Sequence, residues 1–161
     1  MPFKIFVIDD DASMREMISD FLQTKYNEPE IFLFATGEAA LAEVYRKPEV
    51  IILDYYLDNA DKNAMNGVEI LKRIKELLLN VPVLFLSSQD NPEIAANTIK
   101  YGAYDYIVKN ENAFQRIEIM INNATGHLSV QSQLKTQRIF NLVLILLLSA
   151  MVVGFFLSQV L

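Results

Sequence analysis

The stretch "FKIFVIDDDASMREMISDFL", residues 3–22, decides the fold. Phe3 to Ile8 is an apolar run too short for a helix. Three carboxylates follow at Asp9, Asp10 and Asp11. Met14, Met17, Ile18, Phe21 and Leu22 then recur at the spacing of one helical face. A strand, an acidic turn and a helix follow one another without a break.

The same alternation continues along the chain. "EIFLFA" (30–35), "VIILD" (50–54), "VPVLFLS" (81–87) and "YDYIVK" (104–109) read as strands. Ala40, Leu41, Val44 and Tyr45 mark a helix between the second and third. Leu71, Ile74 and Leu78 mark the next, Ile94, Thr98 and Ile99 a fourth, and Phe114, Ile117 and Ile121 the last. Strands that are apolar throughout are buried on both faces. Five strands alternating with five helices therefore predict an α/β fold, a doubly wound five-stranded parallel sheet. In such a sheet ligands gather beyond the carboxyl ends of the strands, where the strand order reverses.

Composition narrows the function. There are 14 Lys and Arg against 20 Asp and Glu, and two of the basic residues, Lys135 and Arg138, lie beyond residue 121. The first 121 residues thus carry a formal charge of −8, which argues against nucleic acid as a direct partner. The absence of cysteine excludes disulfides and thiolate metal sites. Residues 1–124 are of a size to enclose one core. The short apolar run before the three acids does not make a signal peptide.

The strand ends carry the chemistry. Asp9, Asp10 and Asp11 close the first, Asp54 the third, Ser87 and Ser88 the fourth, and Lys109 the fifth. Singly each is ordinary, and Asp11 reads as the N-cap of the helix that begins near Ser13. Jointly they should converge on one edge. There, paired carboxylates at about 4 Å repel by about 4 kcal/mol at an effective dielectric of about 20. Lys109 supplies one counter-charge, and a Mg²⁺ ion, which favours oxygen ligands, would supply more. Acids, a hydroxyl and an ammonium beside Mg²⁺ suit phosphoryl transfer to a carboxylate.

With these residues in place, the chain resembles the receiver domain of two-component response regulators, over about residues 3–124. The match lies in the acidic pair of "VIDDDASMR", Asp54 in "IILDYYL", Ser87 in "PVLFLSSQ", Tyr106 in "YDYIVK", and Lys109. The resemblance implies that Asp54 accepts a phosphoryl group from a sensor histidine kinase or phosphotransfer protein. Asp9, Asp10 and Asp54 would hold Mg²⁺ together with the backbone carbonyl of Tyr56, and Lys109 would pair with the phosphoryl oxygens. Ser87 and Tyr106 would form the switch, the aromatic turning inward as Ser87 moves. Such a protein catalyses its own phosphorylation and dephosphorylation without being an enzyme acting on another substrate.

The chain departs from the family in three places. Lys109-Asn110 stands where the family usually has Lys-Pro with a cis bond, a geometry that costs about 2.5–4 kcal/mol without proline. The loop "YYLDNADKNAMNG" (55–67) is longer than usual and lacks the expected Pro. The third departure is the tail, where receivers more often precede an output domain.

Residues 125–138 read as a linker helix, with Thr125 and Gly126 ending the helix before it. Residues 139–161 carry no charge; as a helix these 23 residues reach roughly 34 Å, against a hydrocarbon core of about 30 Å. They read as a single transmembrane helix, and Lys135 and Arg138 before it place the amino-terminal domain in the cytoplasm. The lipid bilayer is then a partner. Ala150, Gly154 and Ser158 share a face that would permit a homodimer.

Two rivals differ in chemistry. Asp9-Asp10-Asp11 also satisfies the Asp-x-Asp motif of a small Mg²⁺-dependent phosphohydrolase of the haloacid dehalogenase kind, with Asp9 as nucleophile. The βα pattern also admits a flavodoxin-like FMN binder, although "DDDASM" sets three negative charges where a phosphate would sit.

Overall fold

The computed structural model describes residues 3–57 and 65–126. In chain order the elements are β1 (Lys4–Ile8), α1 (Ala12–Lys25), β2 (Glu30–Phe34), α2 (Gly37–Ala42), a 3₁₀ turn (Val44–Arg46), β3 (Val50–Asp54), α3 (Gly67–Leu77), β4 (Val83–Ser87), α4 (Pro92–Lys100) and β5 (Asp105–Val108). A last helix, α5, covers residues 113–126. The expected linker helix beyond residue 126, the transmembrane helix and most of the long loop lie outside the described residues. Among the described residues, no helix is long and apolar enough to cross a membrane.

The five strands form one parallel sheet in the order β2-β1-β3-β4-β5. Successive side chains point to opposite faces of a strand, so each strand contributes to two cores. Phe6, Ile8, Ile51, Leu53 and Phe85 pack with Ala40, Ile70, Leu71 and Ile74 of α2 and α3. Ile5, Val7, Ile52, Leu84 and Ile107 pack with Ile18 and Leu22 of α1 and Ile117 and Ile121 of α5. This is the doubly wound α/β sheet that the apolar runs predict, with order reversing between β1 and β3.

Two details differ from the sequence reading. The second helix stops at Ala42 and a 3₁₀ turn follows, because Tyr45 and Arg46 fold outward onto the Glu43 carboxylate and Arg46 lies over the Phe32 ring at 4.7 Å. Tyr45 is consequently 66% exposed. In α4, Ile99 faces outward; Thr98 takes the buried position, its hydroxyl donating to the Ala95 carbonyl at 2.9 Å. The last helix reaches residue 126, where the described residues end, so its expected close at Thr125 and Gly126 is not contradicted.

Gly67 brings the start of α3 against the chain leaving β3. A Cβ at this position would lie 2.7 Å from the carbonyl oxygens of both Asp54 and Tyr55. Only glycine allows that approach. Asn66 and Glu69 close the same end with a reciprocal capping box.

Candidate functional site

The backbone carries the strand ends to one rim. Asp9 N–H donates to the Phe34 carbonyl at 3.2 Å, prolonging the β1–β2 ladder by one residue. Asp54 closes β3 opposite Leu86, Ser87 closes β4 opposite Val108, and Lys109 N–H donates to the Ser87 carbonyl at 2.7 Å. The rim coincides with the reversal between β1 and β3, the place where ligands bind in open α/β sheets.

Lys109 is the hub. Its Nζ lies 2.8 Å from Asp9 Oδ2 and 2.9 Å from Asp54 Oδ2. Both carboxylates are withdrawn from solvent, Asp9 at 1% and Asp54 at 4% exposure. Burial pushes the Asp54 carboxyl up to about 6, against the pull of Lys109 and with a further push from Asp9. Burial draws the Lys109 ammonium down, but its bonds to Asp9 and Asp54 outweigh that and hold it above the ordinary lysine range. Lys109 reaches both partners through a trans bond to Asn110. Instead of the family's proline, Asn110 offers its side-chain oxygen to Asn112 N–H at 3.0 Å, where α5 begins.

The two buried acids are not equivalent. Asp9 accepts at both oxygens, Oδ1 from Asp11 N–H at 2.9 Å and Oδ2 from Lys109. Among the described residues Asp54 Oδ1 is buried and has no hydrogen-bond partner, although the Tyr56 backbone N–H lies near the carboxylate and draws its pKa down. An orphaned carboxylate oxygen is costly unless something else occupies the position. One oxygen from each of Asp9, Asp10 and Asp54 falls within 4.8 Å of the others, an all-oxygen donor set that fits a hard divalent cation such as Mg²⁺. This asymmetry does not favour the phosphohydrolase reading, in which Asp9 would be the nucleophile: both Asp9 oxygens already accept hydrogen bonds, whereas among the described residues Asp54 Oδ1 accepts none.

The remaining expected residues surround this group. Ser87 is fully buried, and its Oγ accepts from Gln89 N–H at 3.1 Å. Tyr106 is turned inward, 7% exposed, with its hydroxyl donating to the Gln89 carbonyl at 2.7 Å. Tyr56 follows β3 and sets its ring edge-on to Tyr55, half exposed. Asp11 caps α1 through Ser13 N–H, as its position after the strand predicts.

Two participants escaped the sequence reading. Arg15 Nη1 donates to the carbonyls of Asp9 at 2.6 Å and Asp10 at 3.0 Å. Glu38, in the first turn of α2, accepts from Met65 N–H at 2.8 Å and fastens the chain entering α3. Arg15 stands on the polar side of its helix, where a solvated residue is the default. Its sequence signal was only its closeness to the acidic turn. Glu38 joins a segment distant in sequence and left no local signal.

Comparison with known proteins accords with this geometry. The family model of the response regulator receiver domain matches residues 5–122. A protein-glutamate methylesterase/protein-glutamine glutaminase of Bacillus subtilis is 38% identical over 109 residues, 66% of this chain and 29% of that protein. The nitrogen assimilation regulatory protein NtrX of Azorhizobium caulinodans is 31% identical over 136 residues, 84% of this chain and 29% of that protein. The crystal structure of the receiver domain of NtrX from Brucella abortus has a TM-score of 0.66 at 28% identity, covering 74% of this chain and 96% of that one. The chain spans less than a third of the length of the curated relatives it matches.

Proposed function

We infer the function from one premise: the chain belongs to the response regulator receiver domain family of two-component signalling. On that premise Asp54 is the phosphoryl acceptor, and a sensor histidine kinase or phosphotransfer protein is the donor. The observation that carries the assignment is the buried Oδ1 of Asp54, without a hydrogen-bond partner among the described residues, beside an Asp9 whose two oxygens both accept hydrogen bonds.

Asp54 attacks the phosphorus of a phosphohistidine, forming the oxygen–phosphorus bond as the phosphorus–nitrogen bond breaks; the electron pair returns to the imidazole, which takes up a proton. The carboxylate must be ionised to do so, a condition met well above pH 6. Asp9, Asp10 and Asp54, with the backbone carbonyl of Tyr56, would hold Mg²⁺. When bound, Mg²⁺ supplies positive charge for the phosphoryl oxygens. Lys109 turns its ammonium from Asp54 to one of those oxygens, and the Ser87 hydroxyl donates to another. Tyr106, joined to the same loop through Gln89, transmits the rearrangement to the surface formed by α4, β5 and α5. The output is a changed contact surface, and the chain acts as a phosphoacceptor instead of an enzyme with a separate substrate.

The uncharged stretch 139–161, preceded by Lys135 and Arg138, supports a membrane anchor with the receiver domain in the cytoplasm and a membrane-proximal partner. Confinement to one membrane raises the effective concentration of such a partner. Ala150, Gly154 and Ser158 support a homodimer through that segment.

Mass spectrometry of the chain after exposure to acetyl phosphate and Mg²⁺ tests the acceptor: one added phosphoryl group on Asp54, absent from Asp54→Asn, is expected. Labelling at Asp9 instead would refute it. Release from membranes by salt alone would end the anchoring proposal.

A further inference from the structure

We propose that Arg15 is a positioning residue for the carboxylates of the acidic turn: its guanidinium sets the peptide geometry that aims Asp10 at the cation site. The inference rests on the Mg²⁺ reading given above. Arg15 lies in the first turn of α1, its own N–H donating to the Asp11 carbonyl at 3.1 Å. A single nitrogen, Nη1, is shared between the carbonyl oxygens of Asp9 and Asp10.

The two acids need this help unequally. Asp9 is held by Phe34, Asp11 and Lys109 as well as by Arg15. Asp10 is exposed, and among the described residues Arg15 is its hydrogen-bonding partner, with no ion pair to its carboxylate. Its carboxylate nevertheless lies within 4.8 Å of those of Asp9 and Asp54. Like charges so close favour turning the exposed member out into water. A peptide unit is planar, so gripping its oxygen fixes the direction in which the Asp10 side chain leaves the backbone. Guanidinium suits the task because it stays charged at every working pH and its rigid fork loses little freedom on binding.

The experiment is calorimetric titration of the full chain in detergent with Mg²⁺, comparing wild type, Arg15→Gln and Arg15→Lys, with thermal melts in EDTA as a check on folding. The expected result is Mg²⁺ affinity lowered by about tenfold in Arg15→Gln, the usual scale for a residue that orients metal ligands, and by less in Arg15→Lys. The Mg²⁺ concentration for half-maximal phosphoryl capture should rise in parallel, with capture restored at saturating Mg²⁺. A folded Arg15→Gln protein whose affinity stays within about twofold of wild type overturns the inference, as does a capture defect equal at every Mg²⁺ concentration. If Arg15→Gln does not fold, Arg15→Lys decides by the same measure. A wild-type chain that binds no Mg²⁺ removes the underlying reading and this inference together, whereas wild-type binding with unaltered variants removes the inference alone.

Discussion

The hydroxyl of Tyr106 reaches across from β5 to the backbone carbonyl of Gln89, 2.7 Å away, and ties the last strand to the loop that begins at Ser87. The ring is packed in the core on the α3 side of the sheet. Tyr106→Phe keeps the ring and deletes the tie, leaving a carbonyl without its partner. A loss of about 1 kcal/mol is expected by denaturant titration. Phosphorylation of Asp54 should proceed at the wild-type rate, since the hydroxyl does not touch the acceptor, while binding of the output partner should respond less to it.

Asp54→Asn should stabilise the protein in a pH-dependent way. The folded-state value of about 6 lies above the ordinary 3.8, so between these pH values the folded protein retains a proton that the unfolded chain has lost. Wild-type stability therefore falls as pH rises from about 4 to 6 and stays lowered above. The asparagine lacks this penalty, and Lys109 keeps Asp9 as partner. In EDTA, melts should show the variant ahead by about 1–2 kcal/mol above pH 7, the advantage vanishing near pH 4.

Lys109→Gln should act in the opposite direction. It strands Asp9 and Asp54 in a buried site without their shared counter-charge, a loss that ordinarily costs about 3–5 kcal/mol. Without Lys109 the Asp54 carboxyl titrates above its wild-type value of about 6, so the cost should be greatest at alkaline pH and shrink as pH falls toward 6, where Asp54 has taken a proton. Added Mg²⁺ should restore part of the melting temperature without restoring phosphoryl capture.

Gly67→Ala should damage the site from outside it. The new methyl would lie 2.7 Å from two backbone carbonyls, and a backbone cannot yield as a side-chain tip does. Displacement of α3 from the end of β3 should lower the unfolding free energy by about 1–3 kcal/mol and slow phosphoryl capture at fixed Mg²⁺. Urea titration and capture kinetics check the two effects.

The layered α/β fold and the ring of strand-end residues were legible from residues 3–109 alone. Apolar runs of strand length force burial on both faces, and a parallel sheet then delivers all strand ends to one rim. Asp9, Asp10, Asp54, Ser87 and Lys109 are ordered by that topology before any side chain is placed. What sequence could not decide was how these groups divide their hydrogen bonds. That both Asp9 oxygens accept hydrogen bonds while Asp54 Oδ1 has no partner among the described residues depends on distances between residues up to 100 positions apart. Arg15 under the acidic turn, Glu38 on Met65 and Tyr106 on Gln89 are likewise bonds that no local periodicity encodes. Periodicity reports which face of an element is buried, whereas the partner of each polar atom is set only when the elements pack.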